Sequence, residues 1–161
     1  MPRPHIILID GEAGAGKTTL ANLMSAALGA TVVHLDDAYP GWSGLVAGRD
    51  AVIASVLESA RQGDTASYVA WDWEGNRPGR SITVEPRDVL IVEGCGISTA
   101  RSRALAEVSI WLDCPEPRRL ERIHQRDGAS FDEHWAEWNE QVSRHITEND
   151  PIASATVRLS T

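Results

Sequence analysis

Eight consecutive residues carry the plainest chemistry in the chain: Gly11-Glu12-Ala13-Gly14-Ala15-Gly16-Lys17-Thr18, with Thr19 behind them. They fit G-x-x-x-x-G-K-[ST], the pattern of a phosphate-binding P-loop. Its glycines let backbone N–H groups curl round a phosphate chain while the following helix presents its positive N-terminus. Gly11, Ala13, Gly14, Ala15, Gly16, Lys17, Thr18 and Thr19 are therefore the expected nucleotide contacts. The four fixed positions coincide by chance at roughly one start in a few tens of thousands. Fourteen of the fifteen basic residues are Arg, and Lys17 is the only lysine. A general preference for Arg explains the fourteen and leaves the exception. A compact ammonium on a flexible stem is what a β/γ-phosphate contact uses.

What happens to that phosphate depends on other side chains. A GTPase needs a base-reading Asn-Lys-x-Asp, which a chain whose single lysine is Lys17 does not contain. A motor or assembly ATPase sets a catalytic Glu beside an Asp at its second strand-end site, where this chain has a lone Glu93. A small-molecule kinase needs a base near the acceptor hydroxyl, a magnesium-organising carboxylate, and mobile arginines over the moving phosphoryl group. Candidates for all three are present. Asp36 and Asp37 follow an apolar strand pattern, and Glu93 ends another. Arg122 and Arg126 share a helix face at i, i+4 and lead into Gly128. Each has a structural alternative: Asp is a common turn cap, Glu93 could be a solvated loop residue, and the arginines could form an exposed face. Arg118 and Arg119 are assigned to such an exposed face. Tyr39 and Trp42 either line an acceptor pocket or pack their loop. Trp71 and Trp73, two apart on a strand, face the same way and form either a hydrophobic face or the walls of a ring-binding site.

The elements that must position these residues follow from periodicity. Ile6-Ile7-Leu8-Ile9 is a buried strand before the loop, and Leu20, Leu23, Met24, Ala27 and Leu28 recur at helical spacing up to Gly29. Val32 to Leu35 is a short strand ending at Asp36. Val52, Ile53, Val56, Leu57 and Ala60 mark a second helix closed by Gly63. Residues 65–86 form a small β excursion. Val89 to Val92 and Val108 to Leu112 have the continuous apolar character of central parallel strands. Asp113 reads as the N-cap of the next helix. Ser130-Phe131-Asp132-Glu133 reads as a capping box opening a helix with the stripe Phe131, Trp135, Trp138, Val142 and Ile146, assigned to core. Thr156 to Leu159 is an edge strand. Strands alternating with helices imply a parallel sheet covered on both faces.

At 161 residues the chain suits a single domain, 1–161. The net charge of -8 and pI near 5.0 argue against a nucleic-acid backbone or an anionic membrane as the main partner. No apolar stretch approaches the roughly eighteen residues of a membrane span, and a cytoplasmic location is expected. Cys95 and Cys114 lack metal or redox spacing, and His5, His34, His124, His134 and His145 form no ligand pattern.

The order of these parts resembles the uridine kinase and nicotinamide riboside kinase group of P-loop kinases. The P-loop, the Asp-Asp-x-Tyr from Asp36 to Tyr39, the strand ending in Glu93-Gly94, and the Arg122, Arg126, Asp127 pattern all look like that group's signatures. The resemblance implies a P-loop NTPase fold of class α/β: a five-stranded parallel sheet of order 2-3-1-4-5, with a lid at about 122–130. It also implies ATP and Mg2+ as cofactors and a small-molecule acceptor with a hydroxyl group, nucleoside-like or sugar-like. By the same resemblance Asp36 is the base, Lys17, Arg122 and Arg126 act on the phosphoryl group, and Thr18 and Glu93 serve the metal. Tyr68 and Asp72 fall where that group contacts substrate, although Trp71-Asp72-Trp73 replaces a plain Tyr-Asp, and Asp37, Tyr39 and Trp71 are further candidates for the acceptor. The alternatives are a gluconate, shikimate or nucleoside-monophosphate type of kinase, and a non-catalytic ATP-binding regulatory module.

Overall fold

The computed structural model describes residues 3–161. Strand β1 (His5–Gly11) leads through the loop into helix α1 (Lys17–Leu28), then β2 (Thr31–His34) and a 3₁₀ turn (Leu35–Asp37). Helix α2 (Leu45–Val52), a π-helical stretch (Ile53–Glu58) and α3 (Ser59–Gln62) run on as one rod. They precede the hairpin of β3 (Ser67–Asp72) and β4 (Arg77–Thr83). Strand β5 (Val89–Glu93), the short α4 (Ala100–Arg103), β6 (Val108–Asp113), α5 (Glu116–Asp127), α6 (Trp135–Asn149) and β7 (Val157–Ser160) complete the order.

Five strands form one parallel sheet, β2-β5-β1-β6-β7, and β3 pairs antiparallel with β4 in a separate two-stranded sheet. Counting only the strands of the main sheet, this is the expected order 2-3-1-4-5. The register sets Ile9 beside Glu93 and Gly11 beside Leu112. The loop after β1 thus opens at the C-terminal edge of the sheet, flanked by the ends of β5 and β6, where open α/β sheets bind ligands.

The two faces are covered unequally. On one, Ile6, Leu8, Val33, Leu90 and Val92 pack with the α2–α3 rod, with Ile123 of α5, and with Trp138 and Val142 of α6. On the other, Ile9, Ile91 and Ile110 pack on Ala21, with Leu20 and Met24 partly buried alongside. The expected α1 stripe is corrected here. Leu23 is 66% and Leu28 51% exposed, because Lys17 is buried facing the loop and carries the 17, 20, 21, 24 face inward with it.

Two caps also differ. Asp113 remains in β6 and accepts from Trp111 Nε1 (2.8 Å) and Arg158 Nε (2.6 Å), so α5 starts at Glu116 behind Pro115 with no side-chain cap. The Ser130 capping box does not form. Ser130 Oγ donates back to the Asp127 carbonyl, and a 3₁₀ turn (Asp132–His134) precedes α6. No helix among the described residues is long and apolar enough to cross a membrane.

Candidate functional site

Backbone conformation comes first. Gly14 and Gly16 have φ of 81° and 97°, left-handed values that other residues rarely adopt, and a Cβ on Gly14 would meet the Arg119 carbonyl at 2.6 Å. Arginines hold the loop's outer side. Arg119, expected on a solvent face, is instead 5% exposed: its guanidinium donates to the carbonyls of Cys114 (3.1 Å) and Ala13 (3.2 Å) and pairs with Glu12 (3.1 Å). Arg122 donates to the carbonyls of Gly14 (3.3 Å) and Ala15 (3.2 Å), and Thr161 Oγ1 donates to Ala15 (2.9 Å). The acceptor groups of residues 13–15 are thus taken up from outside, behind the surface that the N-terminus of α1 turns to an anion.

Lys17 is buried and donates from Nζ to the Glu12 carbonyl at 2.9 Å. Burial alone would discharge it. The acidic groups around it, the Cys95 thiol first and then the carboxylates of Glu93, Asp36 and Asp10, outweigh that and hold its pKa above the ordinary value. Burial in turn pushes the Cys95 thiol up.

Adjacent strands bring the carboxylates together. The register of β2 on β5 sets His34 opposite Glu93, and Glu93 Oε1 accepts from Thr18 Oγ1 (3.0 Å) and meets His34 Nδ1 (2.6 Å). That hydrogen bond raises the His34 pKa against the effect of burial. Asp36 opens onto the cavity solvent but is ringed by protein. Desolvation raises its pKa first and repulsion from Glu93 second, with Lys17 and Arg126 pulling the other way.

Lys17, Thr18, Asp36 and Glu93 line one cavity of about 1070 Å³, with His34 behind Glu93. Its phosphate end is Ala13, Gly14, Gly16, Lys17, Thr18 and Thr19. Arg122, Arg126, Asp127 and Ser130 form one side, and Asp36 and Glu93 lie on another. Arg126 is exposed and bonded to Asp127 at 2.8–3.0 Å, and that bond raises its pKa. The shared face expected of Arg122 and Arg126 is divided, the first bracing the loop and the second facing open space. The remaining lining is mainly aromatic, Tyr39, Trp42, Trp73, Phe131 and Trp138, with Cys95, Ile123 and Gln125 beside them.

Four residues expected at the acceptor do not line the cavity: Asp37, Tyr68, Trp71 and Asp72. Tyr68 is buried in the core, where desolvation raises its pKa. Asp72 closes the hairpin turn, accepting from Gly75 N (2.9 Å) and Arg77 Nε (3.2 Å), and Asp37 is exposed away from the cavity. Trp71 keeps a buried indole nitrogen with no partner. A bulge between Val69 and Trp71 shifts the register, and Trp73, just past the strand, takes the cavity position.

Sequence reasoning did not single out Asp10. Buried at the end of β1, its carboxylate accepts from Gly11 N (2.8 Å), Gly96 N (3.0 Å), Ser98 N (3.0 Å) and His145 Nε2 (2.8 Å). Burial pushes its pKa up, and the His145 bond with the two loop amides brings it below the ordinary value. Asn149 donates to His145 Nδ1 (3.2 Å), so Nε2 carries the proton. Asp10 therefore ties the P-loop, the turn after β5 and α6 to one point. Its signal in the sequence was a carboxylate ending an apolar strand.

A sequence profile described as an AAA domain matches residues 7–140. No curated protein matches the sequence significantly. Among solved structures, a possible uridine kinase from Bacillus stearothermophilus aligns over 99% of this chain and 90% of its own, with 20% identity and a TM-score of 0.70. A shikimate kinase from Bacteroides thetaiotaomicron aligns over 97% and 85%, with 16% identity and a TM-score of 0.54. At these identities the likeness is one of fold.

Proposed function

The chain belongs to the AAA domain family, and from that premise we propose that it is an ATP- and magnesium-dependent kinase, uridine kinase-like in its parts. It moves the γ-phosphoryl group to a hydroxyl of a small metabolite. The observation that carries this is Asp36, Lys17 and Glu93 lining one cavity with the P-loop. A module that only binds nucleotide has no use for a carboxylate of raised pKa at the acceptor side.

Lys17 and the loop amides hold the β- and γ-phosphates. Asp36 accepts the proton of the acceptor hydroxyl as its oxygen attacks the γ-phosphorus, and the bond to the ADP oxygen breaks. A carboxylate raised toward neutrality is the better base for this. Thr18 and Glu93 would hold magnesium: a hydroxyl and a carboxylate 3.0 Å apart. Among the described residues no group of three or more His, Cys, Asp or Glu forms a metal cage, so phosphate oxygens and water would complete the shell, the pattern Mg2+ favours. When bound, the ion neutralises charge on the phosphate oxygens. His34 positions Glu93. Arg126, free of the loop, leaves Asp127 for the phosphoryl group when the outer part of the lid, Arg126 to Ser130, closes about Gly128, while Arg122 stays on the loop. We place this single-domain enzyme in the cytoplasm.

The family description also supports a nucleotide-binding module without phosphoryl transfer. A coupled ADP-release assay with magnesium ATP across a panel of hydroxyl metabolites separates the two. Acceptor-dependent ADP release that disappears in Lys17→Ala is expected. ATP binding with no release across the panel supports the module instead.

A further inference from the structure

We infer that His145 of α6, which does not line the cavity, is a positioning residue for nucleotide phosphate: acting through Asp10, it holds the root of the P-loop and the turn after β5 in the arrangement that binds the phosphate chain. This rests on the phosphotransfer proposal and extends it to a residue outside the cavity.

The Asp10 carboxylate has its acceptor positions filled. Oδ1 accepts from Gly11 N and Gly96 N, and Oδ2 from Ser98 N and His145 Nε2. Three of these donors are backbone of the site itself. Gly11 opens the P-loop, and Gly96 and Ser98 belong to the turn that leaves Glu93 and Cys95 on the cavity. Gly96 has a φ of 95°, a left-handed value like those of Gly14 and Gly16. Glycine backbone loses much freedom when it is ordered, and a shared anchor supplies that order before the ligand arrives. The fourth donor is the only side chain among them, and it comes from 135 residues away.

His145 is itself held. Asn149 Nδ2 donates to its Nδ1 (3.2 Å), and the Asn149 carbonyl accepts from Arg103 Nη2 (3.1 Å). Arg103 Nη1 donates to the carbonyl (3.0 Å) and Oγ (3.2 Å) of Ser98, whose N–H returns to Asp10. The hydrogen bonds thus close a ring through Asp10, Ser98, Arg103, Asn149 and His145. For stability alone, apolar side chains of similar volume would serve as well, since burying a carboxylate is costly. A buried, fully bonded charge instead fixes the separation of the P-loop from the β5 turn, which apolar packing specifies less sharply. Without the imidazole, Oδ2 keeps one donor and the carboxylate is free to turn away from Gly11 and Gly96.

Calorimetric titration of the full chain with magnesium AMP-PNP, a non-hydrolysable ATP analogue, tests this at a temperature where circular dichroism shows each variant folded. His145→Leu fills the space without the donor and should weaken binding about tenfold or more. His145→Gln keeps an N–H at similar reach and should restore affinity to within about threefold of the original. Arg61→Met is the control for stability. Arg61 donates to the carbonyls of Leu105 (2.5 Å) and Pro4 (3.4 Å) at the opposite end of the sheet, so its loss should lower Tm and leave AMP-PNP affinity within about twofold. Should His145→Leu not fold, Asn149→Leu decides: it removes the bond that keeps the proton on Nε2 and should weaken AMP-PNP about threefold or more. Unchanged affinity in folded His145→Leu, or in Asn149→Leu where that variant decides, overturns the inference. So does His145→Gln binding no better than His145→Leu, or an equal loss in Arg61→Met. With AMP-PNP binding intact in the original chain, these outcomes remove only the role of His145, whereas no binding by the original chain removes the phosphotransfer proposal.

Discussion

The two ends of the cavity are built by different means. At the phosphate end a short run of backbone, Gly11 to Thr18, makes the surface, and Arg119 and Arg122 clamp it from behind through its carbonyls. At the acceptor end side chains make the surface, with Tyr39, Trp42, Trp73, Phe131 and Trp138 arriving from the turn after β2, the hairpin, the lid end and α6. A backbone cradle is indifferent to most side chains and suits a ligand part shared by many proteins. A side-chain wall can be changed one residue at a time, so discrimination belongs there.

That contrast can be broken from the phosphate end with the largest effect. Lys17→Ala should take turnover to the limit of detection and weaken ATP binding, since no second lysine can compensate. Near-normal turnover in a coupled assay would remove the phosphate end from the mechanism. At the boundary between the ends, Asp36→Asn should lower kcat by about 10²–10⁴ with ATP affinity unchanged. Equal loss in Asp37→Asn would move the base by one residue, against the placement of Asp37 outside the cavity.

The arginines sharpen the comparison further. Arg126→Ala should cost about 10² in kcat with little change in ATP affinity, because its charge is used only on closure. Arg119→Ala should act on the cradle, weakening ATP roughly tenfold and lowering Tm by about 2–8 °C as buried carbonyls lose their donor. A Tm change in the first variant and none in the second would exchange their roles.

The smallest effect concerns charge at the boundary. Burial and Glu93 raise the Asp36 pKa, so the acid limb of the kcat profile should lie above the ordinary carboxylate range and vanish in Asp36→Asn. A carboxyl whose pKa is raised in the fold contributes stability that is fully present below its unfolded pKa and lost as pH rises through the folded value. At pH 7 the ionised group therefore opposes folding, and Asp36→Asn should raise Tm by about 1–3 °C. A lower Tm would make Asp36 a structural cap.

By itself the sequence determined what is local. Gly14, Gly16 and Lys17 act through φ values and a backbone path only a few residues long, and the apolar strands could be read because each carries its burial in its own composition. Asp36 and Glu93 were legible as carboxylates ending strands. Tertiary structure decided the rest, because those features depend on contacts across long separations that no local pattern encodes. Arg119 looks like any helix-surface arginine until α5 lies against the carbonyl of Ala13. Phe131 and Trp138 are buried in the core as their stripe predicts, but only the tertiary structure brings Trp42 to them at the edge of the cavity. Trp71 and Asp72 lie in a hairpin that sends Trp73 to the cavity in their place, and Asp10 became a junction only once the turn after β5 and His145 had converged on it.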